Sequence, residues 1–137
     1  MSAAGPRVRE IVSEGRVIAH IYDLNQDGGM TFPTPADAEM QCGFGLVAEA
    51  KTLKPHVHKV LARETQNTSE FILVLSGAMH VDFYDPEGRK VESTTLTPQT
   101  ALLQFIGGHG FQVEAGTRYV EVKQGPYYGE TADKVWI

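Results

Sequence analysis

Fourteen glycines and seven prolines interrupt this chain of 137 residues so often that long helices have little room, because both residue types punctuate regular structure. Between the interruptions lie short runs rich in β-branched and aromatic residues. They are Arg16 to Tyr22, Gln41 to Ala50, Glu70 to Leu75, Ala78 to Tyr84, Arg89 to Leu96, Ala101 to Ile106, His109 to Val113 and Arg118 to Val122. In Ala78 to Tyr84, Met79, Val81 and Phe83 alternate with His80, Asp82 and Tyr84, the period-two pattern of a strand buried on one face. Ser76-Gly77 suits a tight hairpin turn, and Asp85-Pro86-Glu87-Gly88 carries Pro and Gly where a type I turn favours them. Only Thr34 to Met40 and Lys59 to Thr68 read as possible short helices. The expectation is an all-β, antiparallel, single domain, a sandwich or small barrel.

Composition narrows the function classes. A formal charge of −5 with scattered Lys and Arg argues against a nucleic-acid surface, which needs a basic face. No apolar run approaches the roughly 18 residues of a membrane span, and Met1 to Pro6 has no hydrophobic signal core, so a cytoplasmic location is expected. Cys42 is the single cysteine. It gives no disulfide framework and reads as a small buried hydrophobe.

The five histidines are the most informative residues. In His56-Val57-His58 the two imidazoles stand at i and i+2, so in an extended segment both point to one side and can meet at one ion. Neutral imidazole is the commonest nitrogen ligand of transition metals. Glu70 opens the most apolar run in the chain, Phe71 to Leu75, where a carboxylate needs a pair, hydrogen bonds or a cation. His109 lies between Gly107-Gly108 and Gly110, glycines that allow a tight backbone path around one ring. His80 falls on the polar face of its run and reads as a surface residue, and His20 has no evident partner. Gly43 to Ala48 formally matches a dinucleotide-binding glycine pattern but lacks the βαβ context that motif requires.

Taken together, the His-x-His pair, Glu70 followed by six residues and Gly77, and the later His109 resemble the two motifs of the cupin family, over roughly residues 42 to 125. The resemblance implies a jelly-roll barrel, or double-stranded β-helix, over about 41–125, with strands in 7–40 and a tail at 126–137 packing on it. It implies that His56, His58, Glu70 and His109 bind one divalent transition metal: Zn, Mn, Fe, Ni, Co or Cu. The chain departs from the family pattern in several places. Eleven residues, Lys59 to Ser69, separate the pair from Glu70, an interval longer than the usual one, which makes Glu64 a rival ligand. Ala50 replaces the first motif's leading Gly, and Pro98, Gln104, Ile106 and Val113 replace the second motif's Gly, Pro, Gly and Asn.

Three imidazoles and a carboxylate leave open positions on a metal that takes five or six ligands. The expected function is an enzyme of isomerase, epimerase or lyase type, with oxygenase chemistry less favoured. Its substrate would be a small polar metabolite such as a sugar derivative or a hydroxy or keto acid held in the barrel. The alternatives are a non-catalytic small-molecule or metal-binding module and a barrel stabilised by its metal. Catalytic candidates are Lys123 and Tyr127, with Tyr128 nearby; Gln41 and Gln104 are candidates for substrate binding. Which face of 118–124 points inward is open: Val120 and Val122, or Glu121 and Lys123. Trp136 is expected to pack over the barrel or a partner. A homodimer is expected because small barrels have sheet edges to protect.

Overall fold

A computed structural model describes residues 7–24 and 29–137. The strands are β1 (Arg7–Ser13), β2 (Arg16–Asp23), β3 (Gly29–Thr31), β4 (Phe44–Leu46), β5 (Glu70–Ser76), β6 (Met79–Tyr84), β7 (Lys90–Leu96), β8 (Thr100–Gln104), β9 (Gly108–Val113) and β10 (Arg118–Lys123). One short helix, α1 (Glu130–Asp133), follows them. Five strands form one sheet in the order β1-β2-β8-β5-β10, three form a second in the order β7-β6-β9, and β3 pairs with β4. The paired strands are antiparallel throughout. The fold is thus antiparallel and nearly all β, as the turn spacing predicts. No helix among the described residues is long and apolar enough to cross a membrane.

The alternation in β6 does what its sequence requires. Met79, Val81 and Phe83 are buried while the residues between them are not. From the larger sheet, Ile21, Ile72, Val74 and Leu102 meet them in the main core. That sheet is covered on its other face as well. Tyr22, Ala101 and Leu103 are buried there, with Met40, Cys42 and Phe44 packed against them. Burial pushes the Cys42 thiol up to about 11, consistent with a residue that packs and does not react.

The two sheets are stitched along one side and open along the other. Arg9 of β1 pairs with Glu92 and reaches Thr94 Oγ1 of β7 at 3.2 Å. On the opposite side β9 and β10 are both outermost strands of their sheets. The candidate site lies at that open side.

Three expectations of local structure are corrected. Thr34 to Met40 is a turn, not a helix. Gln41 holds it there: its Nε2 donates to the carbonyls of Pro35, Ala36 and Ala38 at 2.8, 3.4 and 3.2 Å, and its Oε1 accepts from Thr34 Oγ1 at 2.6 Å. Side-chain bonds of this kind compete with the helical pattern. The strand expected over Gln41 to Ala50 is confined to β4, and the possible helix at Lys59 to Thr68 is an exposed segment without regular secondary structure.

Candidate functional site

Antiparallel register places Lys123 opposite Glu70 and Glu70 opposite Gln104. Cross-strand partners share a face, so these residues form a polar row at one end of an inner face that is otherwise apolar. Two residues further along, Glu121 stands opposite Ile72, which settles the facing of β10. Glu121 and Lys123 share the inner side, while Val120 and Val122 are about half exposed on the outer side. From the smaller sheet, His109 stands opposite the fully buried Phe83 and points across the gap. Gly107 makes the approach possible: its φ is +78°, and a Cβ there would lie 2.3 Å from the Tyr84 carbonyl oxygen.

His109 Nε2 is 3.2 Å from Glu70 Oε2, and both side chains are mostly buried. Behind the ring, His109 Nδ1 lies 3.3 Å from Gln104 Oε1. The amide of Gln104 cannot be turned round, because its Nε2 donates to the carbonyls of Ile106 at 2.7 Å and Gly108 at 3.4 Å. Its oxygen therefore faces the ring, and Nδ1 carries the hydrogen. Nε2 then faces the Glu70 carboxylate, and without a proton it would present a lone pair to it. Two acceptors this close require a proton or a cation between them.

The carboxyl groups are tuned in opposite directions. Burial alone would raise Glu70, but hydrogen bonds with His109 and Glu121 and the charges of His109 and Lys123 hold it down to about 2. Glu121 is pushed up to about 7 by its hydrogen bond to Glu70, then by burial and the Glu70 charge, with Lys123 and His109 opposing. Below about pH 7 the proton of the pair stays on Glu121 beside an ionised Glu70, because two adjacent carboxyls cannot both ionise cheaply.

Lys123 Nζ is 3.6 Å from Asp133 Oδ2 of α1 and 4.6 Å from the centroid of the Tyr127 ring. Tyr127 and Tyr128 are exposed, at 60% and 79%. A cavity of about 670 Å³ adjoins the site, lined by Glu70, Glu121, His109 and Tyr119 and by residues 133–137. Trp136 lines it but is 75% exposed, so it does not pack as a lid over the sheets.

The expected ligands divide into two groups. Glu70 and His109 come together. His56 and His58 stand near each other, ring centroids 5.1 Å apart, on the exposed segment between β4 and β5 and not beside Glu70. Glu64 is exposed on the same segment. Among the described residues no group of three His, Cys, Asp or Glu side chains is placed to hold a metal. The half-site does fit one: donors about 2.1 Å from a shared ion at tetrahedral or octahedral angles lie about 3.0–3.4 Å apart, and Glu70 and His109 are separated by 3.2 Å.

Of the candidates for substrate binding, Gln104 is buried and orients His109, whereas Gln41 is engaged in the turn described above. His80 is partly exposed beside Thr95 and Asp82. His20 is buried, its Nδ1 2.9 Å from Tyr22 Oη. Glu121 is the site residue that sequence leaves undecided, since only pairing with β5 fixes its face. Compared with known proteins, the chain matches no family model, no curated protein and no solved structure.

Proposed function

We propose that this chain is a divalent-metal-binding barrel of the cupin type, and an enzyme acting on a small polar metabolite. A sugar derivative or a hydroxy or keto acid is the substrate class, with isomerase, epimerase or lyase chemistry. The observation that carries this reading is the pairing of Glu70 with a His109 ring whose free nitrogen is fixed by Gln104. A buttressed imidazole of this kind is how proteins present a metal ligand of defined tautomer. Glu70 and His109 would hold the ion, and His56 and His58 would supply the remaining nitrogens.

When bound, the ion supplies Lewis-acid polarisation of a carbonyl or hydroxyl oxygen. The chain's own residues do the rest. Glu121 holds a proton next to Glu70 and can give it up near neutral pH, the property required of a general acid and base. Lys123 adds to the effect of His109 and Glu121 in keeping Glu70 ionised and, through Asp133, holds α1 beside the cavity. The cavity's volume of about 670 Å³ suits a small metabolite.

Equilibrium dialysis of the purified protein against zinc and manganese tests the ligand set. Glu70→Gln and His109→Ala are expected to lose binding by tenfold or more, and Glu64→Ala is expected to keep it. Equal loss in Glu64→Ala with none in Glu70→Ala would replace Glu70 as the ligand, and wild-type protein that takes up neither metal would overturn the reading.

A further inference from the structure

The segment between β4 and β5 is the least explained part of the molecule. From Val47 to Glu64 no hydrogen bond or ion pair joins it to the rest of the described chain. Its apolar side chains face solvent: Leu53 is 72% exposed, Val57 91%, Val60 101% and Leu61 58%. A segment whose amides find no partner among the described residues, and whose Val and Leu side chains are exposed, has the features of a strand still to be paired. It is anchored at its two bases, by the pairing of β4 with β3 and by contacts at residues 67 and 68. Glu39 accepts from the backbone amide of Asn67 at 3.0 Å, and Thr68 Oγ1 donates to Asp133 Oδ1 at 3.5 Å.

The open side of the barrel is short of what this arm carries. Among the described residues no strand pairs with the outer edge of β9, and β9 holds His109. Among the described residues the half-site has no further imidazole, and the arm carries two, at i and i+2, with ring centroids 5.1 Å apart. Residues 133–137 line that opening; Asp133 is held by Lys123 and Thr68, while Val135, Trp136 and Ile137 are 92%, 75% and 72% exposed. Their displacement uncovers little apolar surface.

We propose that the arm of one copy adds as a strand along the free edge of β9 in a second copy, carrying His56 and His58 to the partner's Glu70 and His109. The exchange is reciprocal, as a two-fold dimer requires, and gives two sites, each built from both chains. It deepens the metal-site reading above and rests on it for the role of the histidines. The second copy is the occupant because the missing strand and the missing donors occur together on one segment, which this chain holds off its own barrel.

The test is crosslinking in a Cys42→Ser background. Val57 and Gly110 would both point outward from the added strand and β9, and a Cβ at Gly110 would sit comfortably, 3.9 Å from Tyr84 Cε2. A short bis-maleimide is added to the double variant Val57→Cys/Gly110→Cys, and to a mixture of the two single variants. Arm exchange gives covalent dimers of twice the 15.0 kDa chain mass in both samples. A crosslinked monomer from the double variant means that the arm closes on its own barrel and overturns the proposal, as does the absence of any crosslinked product.

A second experiment mixes His56→Ala/His58→Ala with Glu70→Gln/His109→Ala chains and measures zinc uptake. Neither parent is expected to bind. After random exchange half the dimers are mixed and each contains one whole site, so uptake of about one zinc per four chains is expected. No recovery, in an assay where wild-type binds zinc, overturns assembly in trans. If wild-type itself binds none, the metal reading fails, and the crosslinked dimer still decides whether the arms exchange.

Discussion

Replacing Gly77 by alanine tests how the turn after β5 is held, and with it the frame that carries Glu70 and Glu121. The φ of Gly77 is +82°, and an added Cβ would lie 2.3 Å from Thr117 Oγ1, 2.7 Å from Thr117 Cα and 2.9 Å from Thr117 Cβ. Two costs follow. A left-handed backbone costs a non-glycine residue about 1–2 kcal/mol, and forcing a methyl into occupied space costs about 1–3 kcal/mol more. The second cost has no easy escape. Thr117 Oγ1 both accepts from Ala78 N and donates to Ala78 O at 3.1 Å, and the crowded α-carbon belongs to the backbone. Gly116 is the internal control, with φ +80° and open space around it.

Denaturant unfolding of both variants at one protein concentration separates the terms. Gly116→Ala is expected to lose about 1–2 kcal/mol, and Gly77→Ala about 2–5 kcal/mol. The gap corresponds to a melting difference of roughly 3–5 °C for each kcal/mol. Adding Thr117→Ala to Gly77→Ala should recover only part of the loss, since the clash with the backbone of residue 117 stays. Equal losses at positions 77 and 116 would refute the steric argument and leave backbone conformation alone.

Two further outcomes follow from polar groups with close polar neighbours. Tyr22→Phe removes the hydroxyl bonded to His20 Nδ1 within a fully buried neighbourhood; His20 Nε2 has only Glu10 Oε1 at 3.5 Å. A loss of about 1–3 kcal/mol in denaturant unfolding is expected for the stranded imidazole, and a neutral result would show that water already serves it. In metal-free protein a carboxyl should titrate near pH 7 by carbon NMR and vanish in Glu121→Gln. Because the folded-state value of Glu121 is raised above its ordinary 4.5 to about 7, its contribution to stability is full below about 4.5 and declines as pH rises through 7. Glu121→Gln should therefore lack that decline, and an unchanged profile would contradict the proton placement.

The strands are legible in the sequence where burial is one-sided. β6 alternates because one face meets the core, and its three buried residues can be picked out of the sequence. β10 is not legible, because both faces offer plausible interiors: Val120 and Val122 on one, Glu121 and Lys123 on the other. Only its pairing with β5 decides, and the carboxylate at the start of β5 makes the polar face the inner one. Thr34 to Met40 misleads as a helix because Gln41, outside the segment, captures its carbonyls. Of the candidate site, Glu70 and His109 are legible from local features, a carboxylate before an apolar run and a ring among glycines. Gln104 cannot be read as the group that orients His109, since that role depends on where β8 sits relative to β9. His56 and His58 are legible as a pair, but the surface that receives them is not encoded in local pattern.

The most direct measurement is elemental analysis of protein purified without chelator or affinity His-tag, alongside His56→Ala/His58→Ala prepared the same way. About one transition-metal ion per chain in the wild type, lost in the variant, is the expected result. No metal in either preparation, or equal metal in both, would contradict the claim that these histidines complete a metal site with Glu70 and His109.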